Sequence, residues 1–420
     1  MKSNPSSQKR ILGIVFFTIF LDLLGFGIII PIQPFFAELL GASPAVVTLL
    51  GASFSLMQFL FAPFWGKLSD RIGRRPVMLA SIFISALGYA IFGFAKSLEV
   101  LFFARMLAGF GSANIGTAQA IISDTTTSET RAKGMGLIGA AFGLGFIFGP
   151  AIGGLFGQLG LWAPAYVASG LCFMNLISTY LLLPETHVRG QHPQDVHRAT
   201  GFQWRMIQLA IRRQNIAQLF LLCLMFTVAF SLMEQVLGLL IQATWLNSGG
   251  VAIASESHAR QAAALTAYVL IVVGVTATII QGGLIGRLAK KFGERRLVMV
   301  GTLFVGGSLL LIPFVAMTGI FALLLVVCAF MAIGTGVTNP SLMSLLSQSA
   351  GIEDRGSTLG LGQSFSALGR VLGPAVAGTL FQFSHGLPFW VGAGLMFVCT
   401  LIAVSLRPPK HFDAPSSVAS

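Results

Sequence analysis

Apolar residues run along this chain in blocks of about 20, separated by short polar gaps, without the strict alternation that a barrel strand requires. A block of that length crosses a hydrocarbon core of roughly 30 Å as a helix. The pattern predicts twelve spans, at 11–36, 44–65, 76–95, 98–122, 133–158, 162–184, 216–243, 261–285, 296–318, 320–347, 356–383 and 386–406. One gap is long, polar and basic, ETHVRGQHPQDVHRATGFQWRMIQLAIRRQN at 185–215. It divides the chain into an N-terminal six-helix bundle (1–184), a cytoplasmic linker (185–215) and a C-terminal six-helix bundle with a short cytoplasmic tail (216–420).

Composition sharpens the class. Only 10% of the 420 residues are charged, and 55% are hydrophobic, against about 25% charged in a soluble domain. Mean hydropathy is +0.83. A water-soluble fold could not hide so much apolar surface, so an all-α integral membrane protein is expected. The first span follows Lys9 and Arg10 as a signal peptide would, but it is too long for one and contains Asp22. It is read as a retained span. Cys172, Cys223, Cys328 and Cys399 all sit in apolar runs without a CxxC spacing, so neither disulfide nor metal is implied. His187, His192 and His197 read as part of a solvated linker rather than a metal site.

A net charge of +12 would suggest nucleic acid in a soluble protein. Here its location explains it. Of 26 Lys and Arg, 22 fall at the termini and in the gaps on one side of the spans, and two, Lys96 and Arg260, on the other. The positive-inside rule places that basic side, with both termini, in the cytoplasm.

The two groups of spans repeat. GKLSDRIGRR at 66–75 aligns with GRLAKKFGER at 286–295, GFGSAN at 109–114 with GTGVTN at 334–339, ETRAKGMG at 129–136 with EDRGSTLG at 353–360, and GFIFGPAIGG at 145–154 with GRVLGPAVAG at 369–378. Parallel repeats suit two bundles rocking about a midplane site.

Four ionisable residues lie inside spans: Asp22, Arg105, Glu234 and Arg370. Such residues are costly in a bilayer and are functional candidates by default. Asp22 falls near the midplane, where a carboxyl can take a proton from one side and release it to the other; a structural ion pair with an arginine is the competing reading. Glu234 stands on the seventh span as its symmetry-related counterpart, displaced by about a turn, and is a second titrating site, a contact for a cationic substrate, or half of a structural pair. Arg370 divides evenly between coupling and packing. Gly145, Gly149 and Gly153 form one smooth helical face beside Gly154, and Pro150 kinks the same span. With Gly369, Gly373 and Pro374 in the repeat, this predicts close-packed gating helices.

These motifs resemble those of the major facilitator superfamily. Gly66, Leu68, Asp70, Arg71, Gly73, Arg74 and Arg75 match its G-x-L-x-D-R-x-G-R-R signature, and RMLAGFGSA its fourth-span motif, in which Arg105 is implicated in proton handling. GFIFGPAIGG is similar to the fifth-span motif of the drug/proton antiporter branch. LDLLGFGIIIPIQPFF, LMQFLFAPFWGKLSDRIGRRPV and ISDTTTSETRAKGMG resemble the tetracycline/proton exporters. In the C-terminal half, the ionisable residues of those exporters fall near Ala277 and Val305. The resemblance therefore carries the exporter architecture without the tetracycline positions. It also implies a cytoplasmic latch, in which Asp70 caps a helix of the other half and Arg71 or Arg74 pairs with Asp124 or Glu129.

The expected function is proton-coupled export of a small amphipathic compound, in a multi-pass protein of the bacterial inner membrane. No enzyme activity, cofactor, metal or nucleic acid is expected, and a monomer is. A proton symporter importing a metabolite and a non-transporting membrane sensor are the rival readings.

Overall fold

Residues 5–126, 128–186, 215–246, 256–350 and 355–406 are described by a computed structural model. They form helices and short connections, with no strand among the described residues. Helices are what a bilayer demands, because each backbone N–H must find its partner within its own segment. In order they are α1 (Pro5–Ile29), α2 (Gln33–Leu39), α3 (Pro44–Ile72), α4 (Arg74–Phe94), α5 (Leu98–Gly111), α6 (Ile115–Thr125), α7 (Ser128–Gly157), α8 (Ala163–Leu182), α9 (Ile216–Ile241), α10 (Glu256–Ile279), α11 (Ile285–Phe292), α12 (Glu294–Met317), α13 (Phe321–Ser349), α14 (Arg355–Phe383) and α15 (Leu387–Ser405). Short π turns, Gln242–Leu246 and Ile280–Leu284, follow α9 and α10.

Ten helical segments among the described residues are long and apolar enough to cross a membrane. With α7 and α14, of 30 and 29 residues, the described segments make the twelve spans of a two-bundle membrane fold. Two predicted spans are not single helices. The first breaks at 30–32, where Pro31 disfavours helical backbone in the residue before it. The fourth breaks at 112–114, between α5 and α6.

The turns at Gly73 and Gly293 mark one end of the bundle, here the basic end, with Lys67, Arg71, Lys290 and Lys291 close by in sequence. Residues 40–43, 158–162 and 318–320 lie at the far end.

The glycine stripes meet neighbours in their own halves. A Cβ on Gly149 would stand 2.6 Å from the Cα of Gly27, and one on Gly145 2.9 Å from the Cβ of Leu23. Gly153 meets the Ile28 carbonyl in the same way. This stripe fastens α7 to α1 within the N-terminal half. Likewise Gly369 and Gly373 press α14 onto Thr227 and Ser231 of α9. The seam between the halves uses other residues. Gly154 abuts Ala267 of α10, and Gly274 of α10 lies against Phe146 and Ile147. On α14, Gly378 lies against Pro44 and Ala45, and its N–H donates to Thr48 Oγ1 at 3.0 Å. These contacts run from mid-length to the far end.

Candidate functional site

Between the halves lies a cavity of about 30 Å³, walled by Phe26, Gln33 and Arg105 on one side and by Glu234, Gln235 and Arg370 on the other. Three of the four predicted intramembrane charges therefore meet at one place. Arg105 lies on α5 with its guanidinium 4.5 Å from the ring centre of Phe54 and 6.0 Å from that of Phe26, an arrangement in which the ring quadrupole holds the cation. Its Nε and one terminal nitrogen have no hydrogen-bond partner among the described residues, and neither has Glu234 Oε1. Glu234 and Arg370 are in electrostatic reach of each other. Buried polar atoms left open on a cavity wall are groups that a ligand or water must satisfy. The space holds a water or so, whereas ligand pockets span roughly 300–1,000 Å³. A substrate enters only when the halves part.

Asp22 is the exception. It does not line the cavity. Its Oδ2 accepts from Asn114 Nδ2 at 2.9 Å, and the same amide donates to Ser81 Oγ at 2.9 Å. The partner is thus an amide rather than the arginine that an ion pair would require. Asp22 is 8% exposed, and its Oδ1 has no partner among the described residues. The break between α5 and α6 makes this contact possible by turning Asn114 inward. The carbonyls freed there are taken by side chains: Gln58 Nε2 donates to Ser112 O at 3.0 Å, and Trp65 Nε1 to Phe110 O at 2.7 Å. A broken helix in a membrane is tolerated where freed groups are satisfied in this way. Tyr89, fully buried, is in electrostatic reach of both Asp22 and Arg105. The first-half carboxyl and the cavity are separate sites with a shared neighbour. Asp22 and Glu234 therefore differ in setting, since Glu234 lines the cavity and Asp22 does not.

At the basic end, Arg74 pairs with Asp70 at 2.5 Å and with Asp124 at 3.1 Å. The predicted link to Asp124 is present. Asp70, however, bonds within its own half instead of reaching the other, and its side chain is 47% exposed. The Glu129 side chain lies outside the described residues. The glycine at 73 has φ +111°, a left-handed conformation that L side chains rarely adopt. A Cβ there would also stand 2.5 Å from a Glu185 oxygen. Glu185, assigned by sequence to the linker, accepts from the N–H groups of Arg74 at 2.9 Å and Arg75 at 3.2 Å, capping α4 where its dipole favours an anion. In the repeat, Glu294 replaces Arg74 and accepts from Ser344 and Gln348 at 3.1 and 2.9 Å. The charge pair thus belongs to one half, while in the other the acidic residue is held by uncharged donors. Asp70→Asn is expected to leave stability within about 1 kcal/mol, since exposed pairs contribute little, yet to lower transport; thermal unfolding and vesicle flux measured together check both.

Known proteins resolve what such a fold belongs to. The Major Facilitator Superfamily profile matches residues 15–284 and 243–419. The chain belongs to the Major Facilitator Superfamily. Its relatives within that superfamily include multidrug resistance protein 2 of Bacillus subtilis, 29% identical over 99% of each chain. The class E tetracycline resistance protein of Escherichia coli is 31% identical over 93% of this chain and 94% of its own. Among solved structures, the human organic anion transporter MFSD10 (TETRAN) superposes with a TM-score of 0.69 over 96% of this chain and all of its own, at 24% identity. As a superfamily member, the chain is a membrane transporter by fold and kinship. Val305 is fully buried against α13, away from the cavity, and Ala277 does not line it.

Sequence reasoning missed Glu185 and Glu38, and met Asn114 only as the end of the repeated GFGSAN motif. Gly111, Ser112 and Asn114 before α6 were the available signal for the break, since glycine, serine and asparagine favour caps and turns over helix interiors.

Proposed function

We propose that the protein is a proton-coupled exporter of small amphipathic compounds, working by alternating access between bundles 1–184 and 216–420. The cavity shared by Arg105, Glu234 and Arg370 at the seam between the halves carries this reading. Open guanidinium and carboxylate groups beside aromatic rings suit a ligand with both polar and apolar parts. The basic end is cytoplasmic, both termini lie there, and the membrane is the bacterial inner membrane; the one-sided Lys and Arg support this. The seam is closed at the far end, so the cavity is sealed from that side in this form. Asp22 binds the driving proton, whose inward passage supplies about 2.3 kcal/mol per 100 mV. The protein acts as a monomer and is not an enzyme. The resistance proteins among its relatives support export.

Inside-out vesicles energised with an acid interior test the proposal. A panel of amphipathic antibiotics and dyes should include compounds that accumulate, with partial collapse of the pH gradient on their addition. Glu234→Gln and Arg370→Gln should raise KM at least about tenfold, the loss expected for a buried charged contact of 1.5–3 kcal/mol. Substrate moving with the proton would replace antiport by symport, and binding without flux would leave a sensor.

A further inference from the structure

One half-buried carboxylate has no part in that scheme. Glu38 lies on α2, beyond the end of the first span. Its Oε2 is buried without a hydrogen-bond partner among the described residues. The side-chain amide of Gln242, in the π turn that ends α9, faces its carboxyl from the other half of the chain. Three layers lie along α9. Glu234 lines the cavity. Gly238 receives the edge of the fully buried Phe35 ring, which would lie 3.0 Å from a Cβ there. Gln242 meets Glu38. Positions four apart share one helix face, and at 1.5 Å per residue Glu38 stands roughly 12 Å outward of Glu234. Phe35 forms the plug between them.

We propose that Glu38 is an outer proton-binding residue, which takes a proton from the far side when the seam between Glu38 and Gln242 closes and gives it back when the seam opens. The inference rests on the far end being extracellular in a proton-coupled transporter. Burial pushes the carboxyl up from 4.5 to about 7, and the Gln242 contact works the other way. In an open, hydrated seam that burial is gone and the carboxyl returns towards its ordinary range. Closure is therefore opposed while Glu38 is ionised. The opposition disappears below the ordinary carboxylate range and is complete above about pH 7, so outside acid favours the closed form. That is the direction in which an antiporter must turn after loading a proton outside. The ionisable groups on the elements packed against α2 are Glu256, His258, Arg260 and Tyr268 on α10, with Arg260 paired to Glu256 at 2.6 Å, Cys223 and Glu234 on α9, Lys67, Asp70 and Arg71 at the opposite end of α3, and Arg74, Arg75 and Tyr89 on α4, whose Phe92 meets Phe36.

The test is a distance measurement on the full chain in lipid nanodiscs without substrate. Spin labels at Ser43 and Met317, exposed at the far ends of the two halves, report the seam by double electron–electron resonance from pH 8.5 to pH 5. The short-distance population should grow as pH falls, with its midpoint between the ordinary carboxylate range and 7. Glu38→Gln, similar in shape, should raise the closed-to-open ratio at pH 8 at least tenfold and remove most of the pH response. Gln242→Ala should move the midpoint to higher pH. A wild-type distribution that ignores pH, or a Glu38→Gln distribution that titrates like wild type, overturns the proposal. Because no flux is read, a failed transport assay beside an intact Glu38 titration would sink only the transport reading.

Discussion

Asp22→Asn should abolish proton-driven transport while the protein still inserts and folds. The substitution preserves shape and can keep the bond to Asn114, because the side-chain carbonyl of asparagine accepts from the Asn114 amide as Oδ2 does now. It removes the ability to exchange a proton. The surroundings leave no substitute: the neighbouring Asn114 and Ser81 do not titrate, and the site is screened from the cavity that holds Glu234. The expected outcome is no substrate gradient and no proton movement in proteoliposomes, with ligand-induced thermal shifts retained because the cavity is untouched. Downhill counterflow of substrate should persist, since exchange along a gradient needs no net proton. Normal proton-coupled accumulation in Asp22→Asn would remove this carboxyl from the coupling path.

Gly378→Val should stop turnover by a different route. The seam at the far end closes backbone to backbone, with Gly378 against Pro44 and Ala45 and its N–H on the fully buried Thr48 hydroxyl. A Cβ there would stand 2.6 Å from the Ala45 Cα and overlap the Pro44 carbonyl outright. Neither is the end of a flexible side chain that could swing away. Overpacking costs about 1–3 kcal/mol or more, which displaces the closed-to-open balance on the order of a hundredfold at the upper end. The halves can still part, so the variant should accumulate in the form open at the far end. Spin labels at Ser43 and Met317 should report the long distance at every pH, and flux should fall at least tenfold. A variant that transports normally would show that the far end need not seal at Gly378. Gly149→Val differs in kind: that glycine fastens α7 to α1 inside one half, so its loss should lower folded yield rather than trap a state.

Much of this was legible beforehand. Apolar block length fixed the helical class because a bilayer leaves a backbone few other options. The one-sided Lys and Arg gave the basic end, and the aligned motifs gave the repeat. Periodicity also found the four intramembrane charges, since an ionisable side chain interrupts an apolar run visibly. The glycine stripes were visible too, but not what they face. A helix with small residues on one side can meet a neighbour in its own half or across the seam, and spacing is identical in both cases. Only the packing of α7 on α1 shows that Gly145, Gly149 and Gly153 are internal fastenings, while Gly154 and Gly378 hold the seam.

The same division runs through the charged residues. The sequence by itself determined how many charges the membrane contains, on which spans they lie and which end of the molecule is basic, because these follow from composition and order along single helices. Which charges meet depended on tertiary structure. Arg105, Glu234 and Arg370 come from three helices and reach one cavity, whereas Asp22 is turned aside onto Asn114 by a helix break. Glu38 and Glu185 look like ordinary loop carboxylates in the sequence. Each acquires its environment from a partner more than 100 residues away, Gln242 for one and the start of α4 for the other. Burial and partnership arise between elements, and no pattern within one element encodes them.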